Sequence, residues 1–467
     1  MITYNVKVNN MNKCFEAEKG TLLSDFLLKN GFETAHPCGG KGICKKCSVN
    51  VNGRAELSCQ YRINSDIEIS LPESKLFFSS FSASGISAEA NAVILDIGTT
   101  TLELGIADKS GKILYTVTEE NPQKKFGADV ISRIEYCSKH GAKELQSSLT
   151  GKINEMLSLV IELYGNADKL PLFVCGNTVM LHLFLGVDCS GMGKSPYTPA
   201  FLESKTVSGN EIGLCINSQI TTLPNISAFA GADIFAGLIK CKKPAKGKYN
   251  LLADLGTNSE IVLYSENGAI CTSAAAGPCF EGVNISCGMT AKEGAIKFYY
   301  RNGTFETIGD KAPVGICATG LVDIIAFLLK NGFIDETGAM RQKEFQITED
   351  ISVTQEDIRN FQLAKSAIYS GITALISKTG ISFDEIENLF VSGGFSQAIN
   401  TESAVKVGLF PKQTGGRIFP LNNTALSGTA LYSAMEQKPT TDNIEYISLS
   451  GNDVFENNFI KNLNFNQ

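Results

Sequence analysis

Four cysteines near the start of the chain, Cys38, Cys44, Cys47 and Cys59, are spaced C-x5-C-x2-C-x11-C, and three of them fall within HPCGGKGICKKCSV, residues 36–49. Four thiolates in one small region can hold zinc or an iron–sulfur cluster. Zinc knuckles usually use two short C-x2–4-C pairs. Here the first gap is a five-residue arc, GGKGI, whose glycines let backbone N–H groups turn inward toward bridging sulfides. The pattern therefore favours a [2Fe–2S] cluster, with Cys38 and Cys44 on one iron and Cys47 and Cys59 on the other. Zinc and an unliganded thiol group are the alternatives. His36 stands two positions before Cys38, but a Rieske centre needs two histidines, and none lies near the later cysteines. His36 reads as a loop residue. Lys41, Lys45 and Lys46 ring the loop. They either attract an acidic electron donor or acceptor or form only a solvated basic rim.

A different chemistry begins at NAVILDIGTTTLELGIAD, residues 91–108. Asp96, Gly98, Thr99 and Thr100 fall at the bend between two apolar β runs. Backbone N–H and hydroxyl donors at such a bend can grip phosphate oxygens, and a carboxylate just before it can hold metal-bound water. The pattern recurs in YNLLADLGTNSEIVLY, residues 249–264, as Asp254, Gly256, Thr257 and Asn258. One D-x-G-T is a weak signal. Two copies, each between apolar β runs, point to related lobes facing each other across a cleft; repeated structural turns are the plainer alternative. No G-x-x-x-x-G-K-[ST] is present, so this is not a P-loop. In ENLFVSGGFSQAIN, residues 387–400, Gly393-Gly394 permits close approach by a nucleoside. Gly315 and Gly320 precede a strong helix pattern, and such a helix start can face a nucleotide.

Several further residues have two readings each. Asp129, in the run from Phe126 to Ile131, and Asp233, in the run from Phe229 to Ile234, sit at helix starts. There an acidic side chain favours the helix dipole. Capping and packing suffice for both, and Asp233 can also approach the cleft. Asn177, Met180 and His182 enter a helix, with His182 as readily a core or partner-face residue as a chemical one. Glu281, in the small-residue loop 274–289, is a candidate to face phosphate-bound metal. Cys271, Cys279 and Cys287 lack a fourth ligand nearby. They read as ordinary thiols, a second cluster shared across a dimer being the alternative.

These residues need elements to position them. At 467 residues and 43% hydrophobic, the chain is too long for one ordinary domain. A net charge of -7 argues against broad nucleic-acid binding. No secretory signal opens the sequence, and the apolar window 170–186 contains Asn177 and His182 and reads as a buried strand and helix. A cytoplasmic protein with no membrane span is expected, so its fourteen cysteines are not a disulfide framework. The amino-terminal pattern is strand 2–8, strand 14–17, a helix capped by Thr21, the cysteine loop, a hairpin turning at Asn52-Gly53, and a strand near IEISLP. The predicted division is residues 1–76 for the cluster domain, 77–90 for a serine-rich linker with Phe77, Phe78 and Phe81 as pins, 91–248 and 249–440 for two lobes, and 441–467 for a tail with a strand and a short helix.

The cysteine arrangement resembles the plant-type [2Fe–2S] ferredoxin domain, which implies a β-grasp fold. Its short last gap matches ferredoxin domains fused to larger enzymes. The paired loops and Gly393-Gly394 resemble the acetate kinase, sugar kinase, Hsp70 and actin superfamily. That likeness implies duplicated α/β lobes holding ATP and Mg²⁺ between them, with Asp96 to Thr100 and Asp254 to Asn258 as phosphate loops and Gly393-Gly394 at the adenosine. As an ordered set, the cysteines, ILDIGTTTLELG, VCGNTVMLHLFLG, SPYTPAF, LADLGTNSE, GPCFEGVNISCGM and VSGGF resemble the reductive activators of corrinoid proteins. This implies ATP-dependent reduction of Co(II) to Co(I) in a partner corrinoid protein of an anaerobic methyltransferase system, a low-potential electron donor, and a homodimer. The short linker and the lack of any cysteine after Cys317 depart from relatives that carry extra domains. A low-potential reductase for another acceptor, a redox-regulated small-molecule kinase and a regulatory binding module are the rival readings.

Overall fold

Apolar residues at alternate positions of Thr3–Val8 put Val6 and Val8 on one buried face and make the first strand of an amino-terminal sheet. The computed structural model describes residues 3–9, 13–30, 47–70, 90–394 and 396–465. Cys38, Cys44, His36, Lys41, Lys45, Lys46 and linker residues 77–89, with Phe77, Phe78 and Phe81, lie outside the described residues. The amino-terminal elements are β1 (Thr3–Val8), β2 (Lys13–Glu18), α1 (Leu23–Lys29), β3 (Ser48–Val51), β4 (Arg54–Leu57) and β5 (Ile67–Ser70). The sheet order is β2-β1-β5-β3-β4, with β1 parallel to β5. Leu23, Phe26 and Leu27 of the helix pack with Val6, Val49, Val51, Ile67 and Ile69 of the sheet. The β3–β4 turn falls at Asn52 and Gly53, both with φ in the left-handed region, as a two-residue hairpin requires.

The next segment folds as β6 (Ala90–Ile97), β7 (Thr101–Asp108), β8 (Ile113–Glu120), α2 (Val130–His140), α3 (Lys143–Tyr164), β9 (Leu172–Gly176), α4 (Thr178–Leu185), β10 (Thr206–Ser208), the one-turn α5 (Gly209–Ile212), β11 (Gln219–Thr222) and α6 (Ala232–Lys240). The three strands β6 to β8 run antiparallel. The helices between β8 and β9 then form the long connection that lets β9 return parallel to β6.

The second half repeats this order with insertions. It comprises β12 (Tyr249–Asp254), β13 (Ser259–Ser265), β14 (Gly268–Ala274), β15 (Ala295–Tyr299), β16 (Phe305–Thr307), β17 (Gly315–Ile316), α7 (Ala318–Lys330), β18 (Glu344–Gln346), β19 (Ser352–Thr354), α8 (Gln355–Thr379), β20 (Ile386–Ser392), α9 (Thr401–Lys406), β21 (Ile418–Pro420), α10 (Thr424–Ala434), β22 (Ile444–Tyr446) and α11 (Asp453–Lys461). The two large sheets are ordered β10-β11-β9-β6-β7-β8 and β21-β20-β12-β13-β14-β22. Without edge strands β10 and β22 they superimpose in order and direction, so each sheet places its D-x-G-T turn between the first two strands of an antiparallel meander.

Helices α6 and α10 occupy the same place in the two lobes and pack on each other. A Cβ on Gly428 would lie 1.8 Å from the carbonyl oxygen of Ala236, so the backbones touch directly. Each helix also packs on the other lobe's core. Ala425 and Tyr432 of α10 join the core of the first lobe, while Ile234 of α6 packs with Leu252, Val262 and Phe390 of the second. In the tail, β22 extends the second sheet beside β14. Helix α11 lies on α8, where Ser366 donates to the Phe459 carbonyl and Lys365 to the Asn464 carbonyl. Among the described residues no helix is long and apolar enough to cross a membrane.

Candidate cluster cage and phosphate cleft

Cys47 precedes β3 and Cys59 follows β4, so the hairpin brings the two together. Their Sγ atoms are 3.2 Å apart, and the side chains are 2% and 4% exposed. Neither Cys47 nor Cys59 is in a disulfide. Two thiolates bound at about 2.3 Å to one tetrahedral metal stand roughly 3.8 Å apart, so this pair fits a shared metal after a small side-chain adjustment. The Ser58 N–H donates to the Cys47 carbonyl at 3.0 Å and fixes the approach. Cys38 and Cys44, expected to complete the cage, lie outside the described residues.

The first candidate phosphate loop spans the bend from β6 to β7. Buried Asn121 pins it from behind: its N–H donates to the Thr100 carbonyl at 2.9 Å and its side-chain amide to the Gly98 carbonyl at 2.8 Å. Arg133 of α2, fully buried, donates to the Thr99 carbonyl at 2.6 Å. Asn177 caps α4 and donates to the Thr99 hydroxyl at 3.1 Å. The hydroxyl of Thr100 is left facing the cleft. The second loop, between β12 and β13, is held by Leu255 N–H on the Ser392 carbonyl and by Gly277 N–H on the Thr257 carbonyl, both at 2.9 Å.

Glu281 joins the two loops. Its Oε2 accepts from the Thr100 hydroxyl at 2.9 Å, and its Oε1 accepts from the Thr257 N–H at 3.2 Å and from the Thr257 hydroxyl.

The carboxylates behind the loops form a second layer. Asp96 lies opposite Glu103 across β6–β7, and Asp254 opposite Glu260 across β12–β13. Burial pushes Asp96 up to about 8, against the Asn423 hydrogen bond, while Asp233, Glu103 and Asp254 push it further. Burial and then Asp233 raise Asp254 to about 7, and burial raises Asp233 itself to about 6. Glu103 and Glu260 are also raised, first by burial. So much carboxylate in one half-buried place suits a bound cation, which favours the ionised forms. Among the described residues no three His, Cys, Asp or Glu side chains converge closely enough to hold a metal directly. Asp96 and Asp254 fit Mg²⁺ held largely through water and phosphate oxygens, its usual mode.

Comparison with known proteins matches this layout along the chain. Residues 6–67 match the 2Fe-2S iron-sulfur cluster binding domain. Residues 91–243 match the RACo middle region, and residues 248–467 the C-terminal domain of RACo, the ASKHA domain of the acetate kinase, sugar kinase, Hsp70 and actin type. The chain belongs to the RACo family. It is 28% identical to the corrinoid activation enzyme RamQ of Eubacterium limosum, across 89% of this chain and 91% of that one. It is 24% identical to the Co(II) methylated amine-specific corrinoid protein reductase of Methanosarcina barkeri, across 80% and 76% respectively. A solved structure of a reductive activator for corrinoid, iron-sulfur protein superimposes with a TM-score of 0.71 at 25% identity, covering 98% of this chain and 97% of that one. An amino-terminal ferredoxin-like domain followed by a duplicated ASKHA ATPase fold is the architecture of this RACo-family chain.

The remaining predicted residues divide by environment. Gly393, at φ 107°, follows β20 directly against the second loop, where a Cβ would lie 2.2 Å from the Leu255 carbonyl oxygen. Gly394 has open space where a side chain would be. Gly315 and Gly320 are buried, and a Cβ on them would meet the Cys287 carbonyl oxygen at 2.8 Å and the Ile296 carbonyl oxygen at 2.2 Å. The structure gives both a packing reason: β17 seats closely on the Cys287–Met289 segment and α7 on β15. Gly98, Gly256 and Asn258 lie in the two bends, as spaced.

Asp129 and Asp233, which rhyme in sequence, part in space. Asp129 caps α2 by accepting from Ser132, whereas Asp233 enters the carboxylate layer. His182 is a core residue of α4: Nε2 accepts from the Ala200 N–H at 3.0 Å, so Nδ1 carries the proton toward the Thr178 carbonyl at 2.7 Å. Burial lowers its pKa, and its ring stacks on Phe201. Met180 accepts from buried Arg133. Cys271 and Cys279 are buried thiols pushed up to about 12, mainly by burial, which makes them inert.

Reasoning from sequence missed Asn423, Arg133, Glu103 and Glu260. The glutamates carried a signal, since each D-x-G-T bend is followed by one Glu in its return strand. Asn423 and Arg133 carried none, because their partners are remote in the chain.

Proposed function

We propose that this RACo-family chain reductively activates a corrinoid protein, returning inactive Co(II) to Co(I) at the expense of ATP. The observation that carries the reading is the fusion itself: a ferredoxin-like domain and a two-lobed ATP clamp, alike in order and extent to a solved reductive activator for corrinoid, iron-sulfur protein. An energetically easy electron transfer does not require ATP. The fusion makes physical sense where the acceptor lies too low in potential for the donor.

When bound, a [2Fe–2S] cluster supplies one-electron transfer. Cys38, Cys44, Cys47 and Cys59 hold it, and the proximity of Cys47 to Cys59 supports that assignment. In the clamp, Gly98, Thr99, Thr100, Gly256, Thr257 and Asn258 receive the phosphates. Asp96 and Asp254 organise Mg²⁺ and water around them, and amides at the bends stabilise charge that develops during hydrolysis. Gly393 and Gly394 admit the adenosine, and Gly315 and Gly320 let α7 seat closely enough to flank it. Nucleotide states then differ in affinity for the corrinoid protein, since a ligand without such a difference shifts nothing. The electron comes from a low-potential donor, and the protein works as a cytoplasmic homodimer.

The test is spectroscopic. Full-length protein is mixed anaerobically with a Co(II) corrinoid protein, a reductant, Mg²⁺ and ATP. The Co(I) absorption band grows only with ATP and an intact cysteine cage. With the cluster reduced and ATP being hydrolysed, an unchanged Co(II) spectrum rejects the reading in favour of another low-potential acceptor. Stoichiometric phosphorylation of a small molecule would indicate a kinase.

A further inference from the structure

Glu281 holds the groups that the phosphate loops present for binding. One oxygen accepts from Thr100 of the first lobe; the other accepts from the N–H and hydroxyl of Thr257 of the second. Those three donors are suited to phosphate oxygens, and a carboxylate satisfies them in the same way, as an anion with two acceptor oxygens. The backbone beneath it is anchored. Phe280 is 4% exposed and stacks edge-on against Phe361 of α8. Gly282, at φ 74°, lies so close to Met289 that a Cβ would fall 2.4 Å from its nitrogen. The side chain of Glu281 is only half-buried, so it can swing toward solvent while its backbone stays in place. A second cross-lobe contact, the ion pair of Lys292 with Glu120 at 3.4 Å, is exposed and correspondingly weak.

We propose that Glu281 is an internal stand-in for nucleotide phosphate, a carboxylate that ties the two D-x-G-T loops together and must be expelled when nucleotide binds. This rests on the reading of the cleft as an ATP site. Expulsion makes the same event both occupy the loops and release the lobe-to-lobe tie through Thr100. Nucleotide affinity is thereby reduced by the free energy of the tie, which the empty protein keeps as stability.

The sign of one substitution tests this, with ADP free of Mg²⁺ and with Mg²⁺–ATP as probes, by calorimetric titration of the full chain. Glu281→Ala tightens binding of both, by about tenfold, the scale of losing a competing charged hydrogen-bond acceptor. Glu281→Gln, which keeps the shape and one acceptor oxygen but not the charge, tightens it less. Melting provides a second measurement. Glu281→Ala lowers the melting temperature of the nucleotide-free protein but not that of the nucleotide-saturated protein, whereas a purely structural residue would lower both. Unchanged affinity overturns the proposal. So does weaker Mg²⁺–ATP binding with unchanged Mg²⁺-free ADP binding, which would make Glu281 a metal-side group. If the wild-type protein binds neither nucleotide, the ATP-site reading itself falls and takes this proposal with it; failure confined to Glu281→Ala leaves that reading standing.

Discussion

The side-chain amide of Asn423 donates to Oδ2 of Asp96 at 2.7 Å, across 327 residues of sequence. The same nitrogen donates to Glu103 at 2.9 Å, and the side-chain oxygen accepts from the Leu426 N–H at 2.8 Å to cap α10. One carboxamide therefore orients the first-loop carboxylates and begins the helix that laces the lobes together.

Two substitutions separate those roles. Asn423→Ala loses the cap, costing about 1 kcal/mol, and lowers ATP turnover by roughly 10- to 100-fold through a misplaced Asp96. Asn423→Asp keeps a good cap but replaces the donor with a third carboxylate, so stability falls less while turnover falls at least as far. Steady-state ATPase assays beside thermal melts check this. Full turnover in Asn423→Asp would show that the donor is dispensable.

The acid layer makes ligand-free stability depend on pH. Asp96 is raised to about 8, Asp254 to about 7 and Asp233 to about 6, all first by burial. Unfolded aspartate titrates near 4, so between about pH 4 and 8 the folded chain holds protons that the unfolded chain releases. Stability from this source is present at low pH and is lost as pH rises through that window. Asp96→Asn removes its share of the loss. The melting temperature of the variant relative to wild type rises between pH 5.5 and pH 8.5, by about 2–4 °C for each kcal/mol relieved. A difference that stays constant with pH would contradict the assignment.

Contact between α6 and α10 sets a strict size limit. Gly428→Ala puts a Cβ within 1.8 Å of the Ala236 carbonyl oxygen, and forcing the helices apart costs on the order of 3 kcal/mol. Gly151→Ala in α3 is the matched control, because nothing lies within 4 Å of its Cβ position. It leaves stability unchanged or raises it by up to about 1 kcal/mol. In denaturant melts the midpoint falls for Gly428→Ala and stays or rises for Gly151→Ala.

For the cage, Cys59→Ser removes one of the two thiols 3.2 Å apart. Anaerobically reconstituted variant protein loses bound iron and sulfide and the visible absorption of the cluster, while nucleotide binding persists because a separate domain supplies it. Wild type carries about two irons and two sulfides per chain, the content of one [2Fe–2S] cluster. Stoichiometric zinc without sulfide in the wild type would replace this assignment with the zinc alternative.

Local patterns alone made much of the molecule readable. The alternation in Val6-Lys7-Val8, the Asn52-Gly53 turn and the twice-written D-x-G-T each involve neighbours a few residues apart. Their conformations follow from sterics and periodicity before any tertiary contact forms. Because the repeat itself is local, the duplicated fold followed too. Tertiary structure decided what lies between the repeats. Asp129 and Asp233 have similar flanking sequences, yet one is a cap and the other a cleft acid, because only α6 is drawn across to the second lobe by α10. Gly320 seats against Ile296 of β15 and Gly315 against Cys287 and Met289, close approaches that their spacing in the chain does not show. Asn423 meets Asp96, and Glu281 meets Thr100, only after two lobes that are distant in sequence are pressed together. Hydrogen bonds between side chains so far apart leave no periodicity or spacing in the chain; they depend on the packed geometry that the whole sequence produces.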